Sequence, residues 1–382
     1  MLHLINTTST QINVSIVVLN LNFRGALDIL PFESSTSMTC QTNPTIVLIG
    51  AGAVAKTYAK AFVESLPYEV AAVADVRKEA AEEVAAVVDA QAFDDIETMI
   101  AEVLPKVAIV CTPPVTHPDI CIELMNMGIH VLCEQPLAIK SHDARRMVNA
   151  SRANDAVFTM GSQFRFAEDL QETRRLINSG ILGDIVLFEN KFAGQVDASQ
   201  RWNSTPEISG GGVLIDRGTH SVDIMRFLLG SIIDLQVVEG RRIQVPDVED
   251  TVRLFLRSES GAAGSIDLSW SMNNVHSHFI SVYGSEGTLL VGWDESKYRS
   301  NDSDWTVFGS GYDEVAAFRS QILNFVETIY GDQELAVSHE DALASVSTIE
   351  TGYEALRTEK WHAVTEKHEP WSRPSTTKYV SQ

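Results

Sequence analysis

At 382 residues the chain is too long for one ordinary hydrophobic core, and its 45% hydrophobic content can fill two. Its 29 basic and 51 acidic residues give a formal charge of −22, which excludes nucleic acid and an anionic membrane as partners, since both need a basic surface. Four cysteines, Cys40, Cys111, Cys121 and Cys133, form no C-x-x-C pair, and three of them lie in apolar segments. They read as small buried hydrophobes in a reducing, cytoplasmic compartment, not as a disulfide or metal set.

Residues 1–42, rich in Ser, Thr and Asn, read as a disordered N-terminal extension. Within it Ile12 to Leu21 is apolar, but no Lys or Arg precedes it, Asn and Ser interrupt it, and it is too short to span a bilayer. A start at Met38 would leave the usual distance to a first strand.

That strand is Thr45 to Ile49, a β-branched run of the kind buried on both faces. It stops at Gly50-Ala51-Gly52-Ala53-Val54-Ala55, which fits G-x-G-x-x-G/A. In that pattern the first glycine makes the tight turn, the second lets a pyrophosphate approach the backbone, and the third small residue packs the helix on the strand. The helix runs to about Ser65, with its free N–H groups facing the phosphates. A second strand, Glu69 to Ala74, ends at Asp75, where a carboxylate can hold the adenosine ribose hydroxyls. Gly50, Gly52, Ala53, Val54 and Asp75 are therefore assigned to dinucleotide binding. Asp75 favours NAD, and Arg77 allows NADP.

The alternation continues with a helix over Arg77 to Val88, a strand over Ala90 to Phe93, a helix over Asp95 to Val103 and a buried strand over Val107 to Val110. The last ends in Cys111-Thr112-Pro113-Pro114-Val115-Thr116-His117, a loop stiffened by prolines at the edge where open α/β sheets bind ligands. A helix over His117 to Met127 and a strand over Ile129 to Cys133 lead to Glu134-Gln135-Pro136 at the same edge. Val157 to Phe166 supplies the last strand and a crossover, bringing Gln163 and Arg165 to the cleft. Thr112, Pro113, His117, Glu134, Gln135 and Gln163 complete the expected cofactor set.

In the second half, Glu168 to Ser179 reads as a helix and Ile185 to Phe192 opens a second sheet. Gly210-Gly211-Gly212 allows close backbone approach to a ligand, and Val213 to Leu229 is a helix closed by Gly230. Asp216 and His220 stand i, i+4 on one helical face. A histidine titrates nearest neutrality, and a carboxylate beside it can hold the imidazole and raise its basicity. Arg201, Trp202 and Arg217 lie close by in sequence and are expected at the substrate with Arg165, Asp216 and His220. His276 and His278 alternate on a strand but lack a third ligand, so no metal is expected. Two amphipathic helices, Glu314 to Tyr330 and His339 to Arg357, close the fold.

The stretch from about Thr45 to Thr358 resembles the Gfo/Idh/MocA oxidoreductases, named after glucose-fructose oxidoreductase and inositol dehydrogenase. The resemblance rests on the glycine turn, CTPPVTH at 111–117, EQPLA at 134–138, SGGGVLIDRGTH at 209–220 and VYGSEGTL at 282–289. It implies an α/β protein: a Rossmann dinucleotide-binding domain at 43–164 and an α/β domain with a large, mostly antiparallel open sheet at 165–382. One face of that sheet is expected to form the interface of a homodimer or homotetramer. It also implies that Asp216 and His220 meet a sugar-like substrate. The family's usual E-K-P has a lysine that helps in proton transfer where this chain has Gln135, and an amide neither exchanges a proton near neutrality nor supplies positive charge. The reading is then an NAD(P)-dependent oxidoreductase of a secondary alcohol on a sugar, cyclitol or sugar derivative. His220 is the base, Asp216 its orienter and Gln135 a positioning group. Two alternatives stand beside it: a silent sensor of dinucleotide and sugar, and a hydrolase or lyase using bound NAD as a transient hydride store.

Overall fold

In the computed structural model, β1 (Ile46–Ile49) and β4 (Val107–Val110) are buried at every position, which is why both appear in sequence as unbroken apolar runs. They join β2 (Val70–Ala74), β3 (Gln91–Phe93), β5 (His130–Cys133) and β6 (Phe158–Met160) in a six-stranded sheet ordered β3-β2-β1-β4-β5-β6. All of its pairings are parallel. The connections are α1 (Ala53–Ser65), α2 (Lys78–Val88), α3 (Ile96–Val103), α4 (His117–Asn126) and α5 (Ser141–Ala153). Because the strand order reverses between β1 and β4, the chain leaves these two strands toward opposite faces of the sheet, the arrangement that opens a crevice at its carboxyl edge.

A 3₁₀ turn at Gln163–Phe166 leads through α6 (Glu168–Asn178), β7 (Ile185–Ala193), the single turn α7 (Pro206–Ser209) and α8 (Val213–Leu229). Then come β8 (Ile232–Glu239), β9 (Thr251–Ser258), β10 (Ala263–Ser269), β11 (His278–Gly284), β12 (Gly287–Gly292), β13 (Ser296–Ser300) and β14 (Thr306–Gly309). The described chain ends in α9 (Glu314–Tyr330), α10 (His339–Thr358) and β15 (His362–Ala363). The second sheet has nine strands in the order β14-β13-β12-β11-β7-β10-β9-β8-β15, antiparallel except for the β7–β10 pair. On β9, Val252, Leu254 and Leu256 are buried while Arg253, Phe255 and Arg257 are exposed, the alternation of a sheet covered on one face. The covered face packs on α8, whose Val222, Met225 and Leu229 share a core with Leu254, Ile266 and Leu268.

Residues 43–198, 202–244, 247–273, 276–301 and 303–364 are described; the extension at 1–42 and Arg201 lie outside them. The last two long helices do not stay with the second sheet. Phe318, Ile322, Phe325 and Val326 of α9 enter the core formed by Tyr58 and Phe62 of α1. In α10, Ala342 and Val346 pack with Met147 and Val148 of α5, whereas Ile349 and Ala355 belong to the core beneath α8. The helices therefore tie the cores of the two sheets together. Among the described residues no helix is long and apolar enough to cross a membrane.

Candidate functional site

The glycine turn is built as its pattern requires. Gly50 has φ +95°, and a Cβ there would stand 2.7 Å from the carbonyl of Cys111, so the turn is pressed against the loop after β4. A Cβ on Gly52 would meet nothing within 4 Å. The protein itself has no need of that glycine, and the open space above it fits a pyrophosphate. Gly52 caps α1 without a side-chain hydrogen bond, and the first turn of the helix carries no acid, which leaves its N–H groups for an anion. Ala55 is fully buried, and Val54 packs against the core that holds Ile46, Leu48 and Tyr58. Asp75 ends β2 with its carboxylate fixed: Oδ2 accepts from the Ala51 N–H (2.8 Å), and Oδ1 accepts from the Arg77 N–H (2.9 Å) and Nε (3.2 Å). Burial raises the pKa of this carboxyl, but the hydrogen bonds from Ala51 and Arg77 outweigh it, and the net shift is downward. An open cleft runs from Ala51, Gly52 and Ala53 to Lys56 and Arg77. These residues fit a nicotinamide dinucleotide: the turn and α1 would hold the pyrophosphate, and Asp75 the adenosine ribose.

The loops after β4 and β5 come together through His117, but not as the sequence suggested. The imidazole is buried, with Nε2 2.6 Å from the Thr112 carbonyl and Nδ1 3.1 Å from that of Pro136. It staples the two loops instead of facing a ligand. Burial lowers its pKa, against the raising effect of these carbonyls. Thr112 is tied down as well: its hydroxyl lies 2.8 Å from that of Thr116, whose one proton can go to the Pro113 carbonyl, also 2.8 Å away, while it accepts from Thr112. Glu134 likewise turns inward. Its carboxyl pairs with the Tyr58 hydroxyl of α1 and accepts from the Gln135 N–H at 3.3 Å. Gln321 of α9 donates to the same hydroxyl at 2.7 Å and accepts from the Ser162 N–H at 2.6 Å. Burial pushes the Glu134 carboxyl up to about 7 despite these hydrogen bonds.

Gln135, joined to Pro136 by a cis peptide bond, does reach the cleft. Its amide lies against Nδ1 of His220, and its Nε2 is 3.4 Å from Oε1 of the buried Gln163. Gln135 Oε1 is buried with no hydrogen-bond partner among the described residues. The His220 ring is held edge-on by Phe164 (5.5 Å, 82°) and Phe192 (6.5 Å, 88°). Its Nε2 has no protein partner among the described residues and is not among the sealed polar atoms. Burial pushes the imidazole down to about 4; Asp216 and Asp223 oppose the shift and Arg217 adds to it.

Asp216 keeps the i, i+4 relation to His220 but not the expected hydrogen bond. Its Oδ2 accepts from the indole Nε1 of Trp270 at 3.0 Å, so Asp216 acts on the ring only through its charge. Of the three arginines expected at the substrate, the two that are described are engaged elsewhere. Arg165 is buried, with Nε and Nη2 donating to Asp223 (2.8 and 2.7 Å) and Nη1 to Asp341 (3.1 Å). Arg217 donates from Nη1 to the carbonyls of Phe192 (2.9 Å) and Ser269 (2.6 Å), joining the ends of β7 and β10. Both hold the scaffold, because a guanidinium this near the sheet interior must satisfy its donors there. Trp202 stands exposed in a short 3₁₀ turn.

The triple glycine is also explained by the protein. A Cβ on Gly211 would lie 1.8 Å from the Tyr353 hydroxyl, and one on Gly212 2.0 Å from the Glu249 carbonyl. The start of α8 is taken by the buried Glu249, whose Oε1 accepts from the N–H groups of Gly212 (2.9 Å) and Leu214 (3.1 Å) and from Tyr353 (2.8 Å). No ligand is needed to account for these glycines. Sequence reading missed Glu249 and Trp270, and also an aromatic wall in which Phe164 stacks on Tyr312 (4.6 Å) and Phe279 meets Trp293 (4.3 Å). These residues come from separate elements and form no local pattern. Among the described residues no three His, Cys, Asp or Glu side chains could hold a metal.

Residues 45–162 match the oxidoreductase family with an NAD-binding Rossmann fold, and residues 170–290 match the Gfo/Idh/MocA C-terminal domain. D-glucoside 3-dehydrogenase of Escherichia coli is 32% identical over 189 residues, 48% of this chain and 54% of that protein, so the match spans about half of the relative's length. Inositol 2-dehydrogenase of Rhizobium meliloti is 25% identical over 78% of this chain and 93% of its own. Among solved structures, aldose-aldose oxidoreductase of Caulobacter crescentus superposes with a TM-score of 0.77 at 21% identity, covering 84% of this chain and all of that one (100%), a likeness of fold. Dinucleotide cradle, six-stranded parallel sheet and mostly antiparallel second sheet agree with both domain matches: the chain belongs to the Gfo/Idh/MocA oxidoreductase family.

Proposed function

We propose that the protein is an NAD-dependent dehydrogenase or reductase of a secondary alcohol or ketone on a sugar, cyclitol or sugar derivative, with His220 exchanging the hydroxyl proton. The observation that carries this is the imidazole itself, held edge-on by two phenylalanine rings and with Nε2 unpartnered by the described protein. The glucoside and inositol dehydrogenases among the relatives support the substrate class. A bound nicotinamide dinucleotide supplies the acceptor or donor of hydride. The chain's own residues orient the hydroxyl toward Nε2, keep the imidazole neutral through burial, and wall the cleft with the Phe164–Tyr312 and Phe279–Trp293 pairs. On this reading 43–164 bind the dinucleotide, while 165–382 supply the substrate face and the contacts of a homo-oligomer. A cytoplasmic location is part of this reading, supported by the free thiols of Cys111, Cys121 and Cys133.

Asp75 favours NAD, since its fixed carboxylate would repel a 2′-phosphate; Arg77, whose side chain is 67% exposed, is the one feature that points toward NADP. NADH should therefore bind more tightly than NADPH in a fluorescence titration, and the reverse order would overturn the preference. The main test is turnover with a panel of glycosides, cyclitols and keto sugars, followed by the absorbance of the reduced nicotinamide. His220→Ala should lower kcat by about 10² to 10⁴-fold and leave NADH affinity nearly unchanged. Turnover that survives the substitution would remove His220 from the mechanism. Gln135, where the family's lysine would be, also motivates the sensor reading; NADH and sugar binding without turnover on the panel would favour it.

A further inference from the structure

We propose that Gln135 sets the tautomer of His220, its amide oxygen taking the Nδ1 proton so that Nε2 keeps a lone pair for the substrate hydroxyl. This rests on the reading of His220 as the base.

The amide of Gln135 is the polar group that the described protein presents to the ring. Asp216, the carboxylate one turn away on α8, is hydrogen-bonded to Trp270 instead. Phe164 and Phe192 fix the ring plane and offer no hydrogen-bonding atom. The charged groups around the imidazole are Asp216, Arg217 and Asp223 on α8, and Asp223 is neutralised by Arg165 from the 3₁₀ turn. The proton position is thus decided by one contact.

A neutral imidazole has one N–H and one lone pair. If the amide NH₂ donates to Nδ1, the ring proton sits on Nε2, and the nitrogen facing the cleft cannot accept another. If the amide oxygen accepts from Nδ1–H, Nε2 is the base. Oxygen and nitrogen of an amide occupy equivalent positions, so the network decides between them. In either orientation the opposite end of the Gln135 amide lacks a protein partner, so the ring contact is what distinguishes them. Gln163, 3.4 Å away, is itself an amide and can turn with Gln135, donating to the same oxygen. In the step that follows, the substrate O–H bond breaks and its proton forms N–H at Nε2. The ring becomes a cation, and its Nδ1–H stays on the amide oxygen.

This also accounts for glutamine at position 135. A lysine there is only a donor: it would hold Nδ1 as an acceptor and put the proton on Nε2. Glutamine is uncharged, of similar reach, and able to accept. It serves here as a positioning residue that acts through His220.

The test uses the full chain with Gln135→Lys (donor only), Gln135→Glu (acceptor only) and Gln135→Met (neither). Ring-nitrogen ¹⁵N NMR, with the His220 signals identified by their loss in His220→Ala, reads the tautomer directly. The wild type should show Nδ1–H. Gln135→Lys should show Nε2–H and lose about 10²-fold or more in kcat. Gln135→Glu should move the acid limb of kcat/KM upward by about one pH unit or more, as a carboxylate against Nδ1 does. Gln135→Met, which neither donates nor accepts, should lower kcat and lose the wild type's single Nδ1–H signal. Nε2–H in the wild type overturns the proposal, as does Gln135→Lys with full turnover. If a variant fails to fold, the wild-type spectrum still decides. A wild type inactive on every sugar would defeat the enzyme reading while the spectrum still reports the tautomer, so the two failures are distinguishable.

Discussion

An imidazole held near 4 is a weak base that is almost always ready. Burial shifts His220 down from 6.5, so it is already deprotonated well below neutrality. In the oxidative direction kcat/KM should stay flat on the acid side to about pH 5, and a limb near the ordinary histidine value would contradict the burial argument. The same shift has a cost in stability: between 6.5 and about 4 the unfolded chain takes up a proton that the folded one refuses, so stability falls as pH drops through that window. Glu134 acts in the opposite sense. Its folded pKa is raised from 4.5 to about 7, so the stability it contributes is fully present below 4.5 and is lost as pH rises through 7. Glu134→Gln removes the charge that the interior rejects, and should shrink the loss of Tm between about pH 5 and about pH 8. An unchanged loss would show that the carboxyl is not the group responsible.

Two glycine runs that look alike in sequence behave differently once they are placed on their elements. Gly52 at the start of α1 stands under open space with φ −76°, a backbone any residue adopts. Gly212 at the start of α8 stands against the backbone of Glu249. Gly52→Ala should therefore leave Tm within about a degree but weaken NADH binding by about tenfold or more, because the methyl enters the space meant for the pyrophosphate. Gly212→Ala should cost about 1 to 3 kcal/mol of stability by overpacking, read as a Tm lower by several degrees. Equal effects on melting would refute this division of roles. Their shared pattern, small residues before a helix, was legible in the sequence. Which of them faces a ligand was not, because it depends on Glu249 and Tyr353 arriving from β9's approach and from α10. Similarly, α5 escaped notice: its inward Ala144, Met147, Val148 and Ser151 are too few and too mild among charged neighbours to mark a helix until α10 covers them.

At the scale of the whole molecule, the uncovered face of the second sheet is the feature left to explain. Arg253 pairs with Asp267 and Arg257 with Asp234 across adjacent strands, and Phe255, Ile233 and Val238 are exposed. A face that mixes cross-strand ion pairs with exposed apolar side chains suits association with its own copy. Light scattering should give a dimer or tetramer, and Phe255→Glu should lower the mass without abolishing NADH binding. A wild type that is monomeric at micromolar concentration would refute this. Among the described residues the buried core positions run from Ile46 to Ala355 and join both sheets to α9 and α10; removing residues 1–38 should leave Tm and NADH affinity unchanged, and insolubility of the shortened chain would show otherwise.

The sequence by itself determined the alternation of strands and helices in the first half apart from α5, the glycine turn between β1 and α1 with Asp75 closing β2, the long helix bearing Asp216 and His220, and the family. Each is a local pattern of apolar period, small residues and a terminal acid, and local patterns survive without knowledge of the rest of the chain. Only the tertiary structure decided which polar residues face the cleft. Glu134, His117, Arg165 and Arg217 sit in motifs that promise a ligand, yet their partners are Tyr58, the Thr112 and Pro136 carbonyls, Asp223 and the Phe192 and Ser269 carbonyls. The partner of His220 is Gln135, 85 residues away. A buried donor or acceptor must be satisfied by whatever the fold brings within about 3 Å, and for most of these residues that neighbour is distant in sequence.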